Sequence, residues 1–403
     1  MGAPKPLRFI WSVPGSVGAK GIRGANARED TSGLPDVASF VEFARRAEEA
    51  GMDSVLVPIG YYRADPVTMA SVMGAETATV KFMLATRSGI VSPTYFVQQV
   101  NTLAMLTNGR VAINSVAGHS PQEQRFFGDM LPHDERYRRT EEFWAICHAL
   151  WDAKEPVNFD GAYYRIRDAQ VGVPFRSDER TRPEIYLGGN SSEAQRVAIA
   201  QADCHLRFAD APERLGPKVA ETLRAGIEVG LVVSVIVRPT RREALRAAHD
   251  LMVASGEQAR EVQRQFQSYT DSVGWATAHA MAEREAGTSV EEGWLWPHLW
   301  IGLVPYLGPT AMSLVGSPED IADGLFDFRR IGISQFVFQG RPDLESMIAF
   351  GRDVLPIVRA REAREAREEV PAPRVDHRAP ADHGARAART AQQASVAREE
   401  NQA

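Results

Sequence analysis

Residues 82–116 read FMLATRSGIVSPTYFVQQVNTLAMLTNGRVAINSV, and this stretch indicates the fold of the chain. Two apolar runs, Phe82–Arg87 and Arg110–Val116, flank a helical pattern that Ser92-Pro93 opens and Asn108-Gly109 ends. Short apolar runs joined by a helix are typical of parallel strands in a sheet that is covered on both faces. The stretch therefore predicts one strand–helix–strand unit.

The same alternation recurs along the first 340 residues, so that the chain holds eight such runs. The other six are Leu7–Val13, Ser54–Ile59, Glu184–Leu187, Cys204–Phe208, Leu231–Val237 and Ser334–Phe338. Eight strand–helix units close a (β/α)₈ barrel, the TIM barrel, whose chemistry lies in the loops after the carboxyl ends of its strands. We therefore predict an α/β fold of this kind, with functional residues directly after the runs.

The chain has 403 residues, whereas such a barrel typically needs about 250, so we expect an insertion and a tail. The insertion, about residues 240–315, separates the seventh and eighth runs, and its Trp-rich part, Trp294–Tyr306, predicts a lid or an active-site wall. We place the barrel in residues 1–360. In residues 361–403 a charged helical extension leads into a segment, from residue 371, that is too poor in apolar residues to fold and is expected to be disordered.

Local signals predict further details. Asp36 should cap a helix that Gly51 ends, and Phe159-Asp160-Gly161 should form a hairpin turn. Cys147 and Cys204 lie far apart in the sequence, and we expect two buried thiols rather than a disulfide.

Composition narrows the class of protein. A hydrophobic fraction of 44% with 24% charged residues is typical of a soluble globular chain. The net charge of −6 argues against nucleic acid or an anionic membrane as a partner. Neither a secretory leader nor an apolar run of about 18 residues is found, so we expect a cytoplasmic protein. The sequence also lacks metal-ligand spacing and a G-x-S-x-G nucleophile motif.

The most specific local motif is Gly188-Gly189-Asn190-Ser191-Ser192, which follows the fifth run and leads into a helix. Glycines let backbone amides approach an anion, and the helix N-terminus adds positive potential. The motif therefore predicts a phosphate site, while an ordinary glycine turn with a serine cap remains an equal alternative. It is neither a Walker loop nor a dinucleotide fingerprint, because their further residues are missing.

Other polar side chains on or after the runs are candidates for the active site. Asn114 could fix a planar polar ring or could merely satisfy a loop. His119 could act as an acid or base, or be a loop histidine without that role. Arg87 ends the third run and Ser234 lies on the seventh, while His298 in the Trp-rich part suits a catalytic role or an interior polar contact equally.

Several motifs together resemble the bacterial-luciferase-like flavin monooxygenases, and most closely their alkanesulfonate monooxygenase branch. They are TNGRVAINSVAG at 107–118, PQE at 121–123, ERY at 135–137 and YLGGNS at 186–191, within a resemblance over residues 7–358. It implies a TIM-barrel enzyme that takes reduced FMN (FMNH₂) from a separate NAD(P)H-dependent flavin reductase. With O₂ such enzymes form a C4a-(hydro)peroxyflavin, which oxidises a small-molecule substrate. We also expect a homodimer or a homotetramer.

The resemblance also implies residue roles. By position, Asn114 contacts the flavin ring, and so does the stretch with Ile59 and Gly60, while Arg87 matches an arginine of the family. The resemblance places Glu123, Arg136, Tyr137 and Ser191 around the ribityl chain and phosphate of FMN. The Gly-Gly-Asn-Ser-Ser motif adds Gly189 and Ser192 as candidate cofactor contacts.

Departures from the family pattern concern the substrate. Alkanesulfonate enzymes carry arginine and histidine where this chain has Val232 and Ser234, and a cysteine where it has Arg63. A tyrosine after the eighth strand is replaced by Arg341, and an arginine of the late lid is lost near Pro305. An anion without its donors costs several kcal/mol, so we predict that the substrate is not a simple alkanesulfonate.

Three points remain open in the sequence. Arg63 and Arg341 either hold a differently placed anion, such as a carboxylate, or form surface salt bridges. A deazaflavin-dependent dehydrogenase on the same barrel is an alternative function. A non-catalytic flavin-binding subunit is another.

Overall fold

A computed structural model describes residues 5–14, 36–61, 63–287, 289–339 and 344–369 of the chain. The strands are β1 (Arg8–Ser12), β2 (Ser54–Val57), β3 (Lys81–Thr86), β4 (Val111–Val116), β5 (Val157–Asp160), β6 (Arg165–Ala169), β7 (Glu184–Gly188), β8 (Cys204–Phe208), β9 (Glu228–Val237), β10 (Trp294–Trp296), β11 (Leu299–Trp300), β12 (Ser313–Gly316) and β13 (Ile333–Phe338). The helices are α1 (Val37–Glu49), α2 (Pro66–Ala75), α3 (Pro93–Thr107), α4 (Pro121–Phe126), α5 (His133–Asp152), α6 (Ser192–Gln201), α7 (Pro212–Arg224), α8 (Arg241–Gln267), α9 (Val273–Glu285), α10 (Val304–Leu307), α11 (Pro318–Arg330), α12 (Leu344–Ala349) and α13 (Leu355–Glu369). The predicted disordered tail lies outside the described residues.

Eight parallel strands close into a barrel. In order around it they are β1, β2, β3, β4, β7, β8, β9 and β13, and β13 pairs with β1 again. Side chains on alternate positions fill the interior, among them Leu56, Met83, Tyr186, Leu206 and Val337. A larger apolar layer packs between the strands and the helices. All eight predicted runs are strands, so the predicted TIM barrel is confirmed.

The predicted helix boundaries follow from capping. Asp36 accepts a hydrogen bond from the backbone N–H of Ser39 at the start of α1, and Ser92 accepts one from Tyr95 at the start of α3. Asn108 ends α3 in the left-handed conformation, with a φ of 52°. Both cysteines are buried and free, as predicted.

The predicted hairpin exists, but its turn lies further along the chain. Phe159 and Asp160 belong to β5, and the connection to β6 runs from Gly161 to Tyr164. The N–H of Gly161 donates to the carbonyl of Tyr164 at 2.9 Å. The Glu142 carboxylate on α5 accepts from the backbone of the same turn, so a contact distant in sequence fixes its position.

The insertion, defined here as residues 241–316, is built on β9. That strand has ten residues, and residues up to Val233 pair with β8 and β13 inside the barrel. Ser234–Val237 pair instead with β12, which extends through β11 and β10 in antiparallel order. Ahead of this small sheet come α8, which kinks at Gly256, and α9. The predicted long insertion between the seventh and eighth strands is therefore confirmed.

The predicted charged helical extension is helical at its start, since α13 continues to Glu369. Within the described residues, no helix combines the length and the apolar character that crossing a membrane requires.

Candidate active site

A cavity of about 370 Å³ lies at the carboxyl ends of the barrel strands. A second cavity, of about 500 Å³, lies at their amino ends, where Glu184, Asp203 and Glu228 contribute to its wall. Catalysis in TIM barrels takes place at the carboxyl ends, and the first cavity has the mixed apolar and polar lining that is usual for ligand sites. We therefore assign the candidate active site to the first cavity.

The structure brings many of the residues predicted from the sequence into this cavity. Its lining includes Ile59, Gly60, Arg63, Arg87, Asn114, His119, Glu123, Tyr137 and Gly189. They come from the loops after β2, β3, β4 and β7 and from α4 and α5, although they are widely separated in sequence. Their individual roles remain predictions.

Arg87 and Glu123 form a buried ion pair in the cavity wall. Nη2 of Arg87 donates to Oε2 of Glu123 at 2.8 Å, and Oε1 of Glu123 accepts from the backbone N–H of Tyr61 at 2.7 Å. Burial raises the pKa of Glu123, but the Arg87 charge and the Tyr61 N–H outweigh it, so the net pKa is lowered. Nε and Nη1 of Arg87 have no hydrogen-bond partner among the described residues.

Asn114 supplies an acceptor close by. Its side chain is 9% exposed and lies on the same side of β4 as the interior residue Ala112, because strand side chains alternate. Oδ1 of Asn114 has no hydrogen-bond partner among the described residues, and it lies beside Gly188, which has no side chain to fill the space. Arg87 and Asn114, which both line the cavity, thus have two donor atoms and one acceptor atom without a partner among the described residues.

The Gly188-Gly189 turn leads directly into α6. Ser191 is buried and caps the helix by accepting from the N–H of Ala194 at 3.1 Å. A Cβ on Gly189 would lie 2.6 Å from the Tyr137 hydroxyl, so only glycine lets that hydroxyl approach the turn. Burial raises the pKa of Tyr137 to about 12, which keeps the hydroxyl protonated as a donor. Ser192 is exposed and bonds to Glu193 instead of facing the cavity.

His119 connects the barrel to the insertion. Its ring stacks on Trp275 with centroids 5.3 Å apart and meets the edge of Phe266 at 5.4 Å. Its carbonyl accepts from the Thr270 hydroxyl at 2.6 Å. Burial and then the Arg87 charge lower the pKa of His119 to about 4, so the imidazole is neutral at pH 7. In that state it can accept a proton from a ligand.

Arg136 is not among the residues that line the cavity. It is buried behind the cavity, where it donates to the carbonyls of Ala117 and Leu131, each at 2.9 Å, and to Asp271 at 2.7 Å. These donors are engaged within the protein, and the role of Arg136 in an FMN site remains a prediction. Arg136 joins the loop after β4 to the insertion.

Three further predicted residues, Ser191, Ser234 and His298, are not among the described residues that line the cavity. Ser234 lies where β9 leaves the barrel, opposite Ser313 of β12, and its N–H donates to Met312 at 2.6 Å. His298 lies between β10 and β11, 3.9 Å from Asp320. Arg341 is outside the described residues. Of the two strand-seven positions that distinguish this chain from alkanesulfonate enzymes, Val232 alone lines the cavity.

The wall that the insertion contributes also differs from the prediction. It is formed by Phe266, Tyr269 and Trp275, from the end of α8 and the start of α9. The Trp-rich segment Trp294–Tyr306 packs elsewhere, since Trp300 is fully buried beneath the small sheet in a cluster with Val315.

Arg207 is a cavity residue that the sequence analysis did not single out. It lies on β8, is 6% exposed and forms no ion pair with a described carboxylate. Burial lowers the pKa of its guanidinium, but an arginine in a protein stays charged at neutral pH. Arg207 is the one arginine within the run Cys204–Phe208, but nothing local in the sequence marks it as functional.

Solved structures share this fold. A riboflavin lyase, in complex with modified FMN and its substrate riboflavin, aligns over 89% of this chain and 92% of its own, with a TM-score of 0.65 and 18% identity. The EDTA monooxygenase from Chelativorans sp. BNC1 covers 89% and 94%, with a TM-score of 0.64 and 16% identity. A coenzyme F420-dependent secondary alcohol dehydrogenase covers 88% and 99%, with a TM-score of 0.59 and 18% identity.

Likeness at this level of identity establishes the common barrel, whereas the family follows from the sequence itself. The family profile of the luciferase-like monooxygenases matches residues 7–335, which span nearly the whole barrel. The chain therefore belongs to the luciferase-like monooxygenase family, as its motifs predicted.

Proposed function

We propose that this chain is the oxygenase of a two-component system, which takes FMNH₂ from a separate NAD(P)H-dependent flavin reductase and uses O₂ to oxidise a small organic substrate. The observation that carries the proposal is that one cavity combines unused polar atoms suited to a flavin ring with a helix N-terminus suited to a phosphate. Family membership supports a flavin as the cofactor.

The inner cavity fits the ring of a flavin. An isoalloxazine ring offers one N–H donor and two carbonyl acceptors at its pyrimidine edge. Oδ1 of Asn114 can accept from the former, and Nε and Nη1 of Arg87 can donate to the latter. Buried polar atoms without partners are rare in folded proteins, so their clustering in one cavity supports a polar ligand there.

The part of the cavity beside Gly189 and the start of α6 suits the phosphate. Gly189 lets the backbone approach, the α6 N-terminus contributes positive potential, and the Tyr137 hydroxyl, which is hydrogen-bonded to Ser191, lies beside the same turn. Ser191 supports this arrangement by holding the first turn of α6.

Reduced FMN bound in this cavity would supply the electrons that activate O₂ for transfer of one oxygen atom to the substrate. The side chains of Phe266, Tyr269 and Trp275 would exclude water from the reacting atoms. His119, neutral because its pKa is lowered to about 4, could accept a proton from the substrate or from water.

Anaerobic titration with FMNH₂, followed by addition of isotopically labelled O₂ with candidate substrates and mass spectrometry of the products, tests the proposal. The expected result is saturable FMNH₂ binding and a product that carries one labelled oxygen. Turnover with a reduced deazaflavin coenzyme but not with FMNH₂ would establish the dehydrogenase alternative. Binding of FMNH₂ without any product from a broad set of substrates would favour a non-catalytic subunit.

Substitution of Ser191 by aspartate tests the phosphate position. Aspartate caps helices as well as serine does, so the fold should persist, but its carboxylate would repel the phosphate. FMNH₂ should bind at least about tenfold more weakly, which corresponds to about 1.4 kcal/mol. Ser191→Asn, a neutral cap of nearly the same size, is the matched control and should bind nearly as the parent does. Equal affinities in the aspartate and asparagine variants would exclude a phosphate at this turn.

Alkanesulfonates should be poor substrates. Val232 contributes no donor to the cavity wall, whereas a sulfonate needs several donors to replace its hydration. Octanesulfonate or ethanesulfonate, supplied with FMNH₂ and O₂, should release little sulfite above the background measured without enzyme. Release at about 1 per second, within the usual range of enzyme turnover, would show that the substitutions at strand seven do not exclude sulfonates.

A further inference from the structure

Arg207 is a buried cation whose hydrogen bonds are weak. Nη1 lies 3.4 Å from Oε1 of Gln195, and Nη2 lies 3.4 Å from the carbonyl of Asn190. Both distances are at the long end for an N–H donor, whose usual distance is about 2.9–3.0 Å. Nε has no partner among the described residues. Arg207 is thus largely removed from water without the contacts that normally compensate a charge.

Three arginines near the cavity differ from Arg207 in this respect. Arg87 pairs with Glu123 at 2.8 Å, Arg136 with Asp271 at 2.7 Å, and Arg139 with Asp129 at 2.5 Å. Each of these three has a carboxylate, so its role in the fold is explained by that pair. Among the described residues no such pair accounts for Arg207.

The position of Arg207 adds a second source of positive potential to this unpaired charge. Asn190 belongs to the turn before α6, and Gln195 lies in the first turns of that helix, so the guanidinium lies beside the α6 N-terminus. The N-terminus of a helix carries positive potential, and a second positive charge beside it is unfavourable unless an anion is present. Both Arg207 and Gly189 line the cavity, so an anion in the cavity can reach this position.

We propose that Arg207 provides the counter-charge for the flavin phosphate, and that it makes this chain select FMN over unphosphorylated riboflavin. The inference rests on the proposed function for the identity of the ligand. Two independent observations support it, namely the buried guanidinium without a carboxylate and the helix N-terminus that opens to the same cavity. A guanidinium binds a phosphate through charge-assisted and often paired hydrogen bonds, which the weak contacts to Asn190 and Gln195 leave available.

Binding of two flavins separates this role from a structural one. The dissociation constants of reduced FMN and reduced riboflavin are measured anaerobically for the parent protein, Arg207→Gln and Arg207→Lys. The parent should bind FMN at least about tenfold more tightly than riboflavin, a difference of about 1.4 kcal/mol. Arg207→Gln should lose most of that preference because it weakens the binding of FMN alone. The preference of Arg207→Lys should lie between those of the parent and of Arg207→Gln. Inorganic phosphate should compete with FMN in the parent and much less in Arg207→Gln.

Two further variants control for folding and for general charge effects. Arg207→Met removes the charge and keeps an apolar stem, so without flavin its melting temperature should equal or exceed that of the parent, while its gain on adding FMN should be smaller. Arg196→Gln removes an exposed arginine from α6 that pairs with Glu141, and it should preserve the preference for FMN.

The outcomes distinguish this inference from the proposed function. A parent protein that binds neither flavin would overturn both. A parent that binds the two flavins alike would overturn only the role of Arg207. The role of Arg207 would also be overturned if Arg207→Gln weakened the binding of both flavins equally. It would be overturned as well if, without ligand, Arg207→Met melted well below the parent, because Arg207 would then stabilise the fold.

Discussion

Replacement of Glu123 by alanine is expected to lower the free energy of unfolding by about 3–5 kcal/mol. The change leaves Arg87, with a side chain 4% exposed, as a buried charge without its carboxylate, and it also removes the acceptor for the Tyr61 N–H. Breaking one partner of a buried pair costs more than the pair itself contributes, because the remaining charge is still desolvated. Urea denaturation at neutral pH measures the loss.

The double variant Arg87→Met with Glu123→Leu is the matched control. It removes both charges and retains similar volumes, so it should be clearly more stable than Glu123→Ala alone. Glu123→Gln, which keeps an acceptor for Arg87 and Tyr61, should fall between the alanine variant and the parent. A Glu123→Ala protein within about 1 kcal/mol of the parent would mean that water reaches Arg87 and that the pair is not buried in solution.

Stability is expected to fall steeply as the pH is lowered from about 7.5 to 5. Burial lowers the pKa of His119 to about 4 and that of His205 to about 4, whereas both imidazoles titrate near 6.5 in the unfolded chain. The unfolded state therefore binds more protons below pH 6.5, and protonation favours it until the pH falls below about 4. Each imidazole should cost about 2 kcal/mol at pH 5 and about 3 kcal/mol near pH 4.

Variants without these imidazoles test the assignment. His119→Phe keeps an aromatic ring against Trp275 and should recover about 2 kcal/mol of the loss at pH 5. Burial also lowers the pKa of His148 and of His279, so a smaller slope should remain. The lowered pKa values of Glu123 and Glu228 act only below about pH 4.5, since carboxylates are ionised above it in the unfolded chain. Parallel pH profiles for His119→Phe and the parent would show that His119 is exposed in solution.

The barrel could be predicted from the sequence because the patterns that indicate it are local. Each predicted run holds at least three apolar residues, and the caps Asp36, Ser92 and Asn108 act within three residues of a helix end. The small sheet of β10, β11 and β12 on β9 could not be predicted in the same way. Strand β12 has four residues, and nothing within Leu231–Val237 indicates that its second half leaves one sheet for another.

The residues of the candidate site likewise differ in whether local sequence patterns could predict their positions. Residues near or directly after the end of a strand, such as Asn114, Arg87 and Gly189, reach the cavity because the barrel brings the strand ends together. The ion pair of Arg136 could not be predicted, because its partner Asp271 lies 135 positions away in the insertion. Arg207 was missed because an arginine within a strand has no local signature of function, and only the burial of its guanidinium without a carboxylate distinguishes it.

Strand β9 belongs both to the barrel and to the small sheet, and this has a consequence for how the protein can evolve. Its first half pairs with β8 and β13, and its second half pairs with β12. The register of the small sheet is therefore set by the barrel. The segment between Phe266 and Trp275 lies outside both sheets, yet it provides the aromatic wall of the cavity. Mutations can therefore reshape the substrate wall there while the strands beneath it keep their pairing, and selectivity can diversify faster than the framework that supports it.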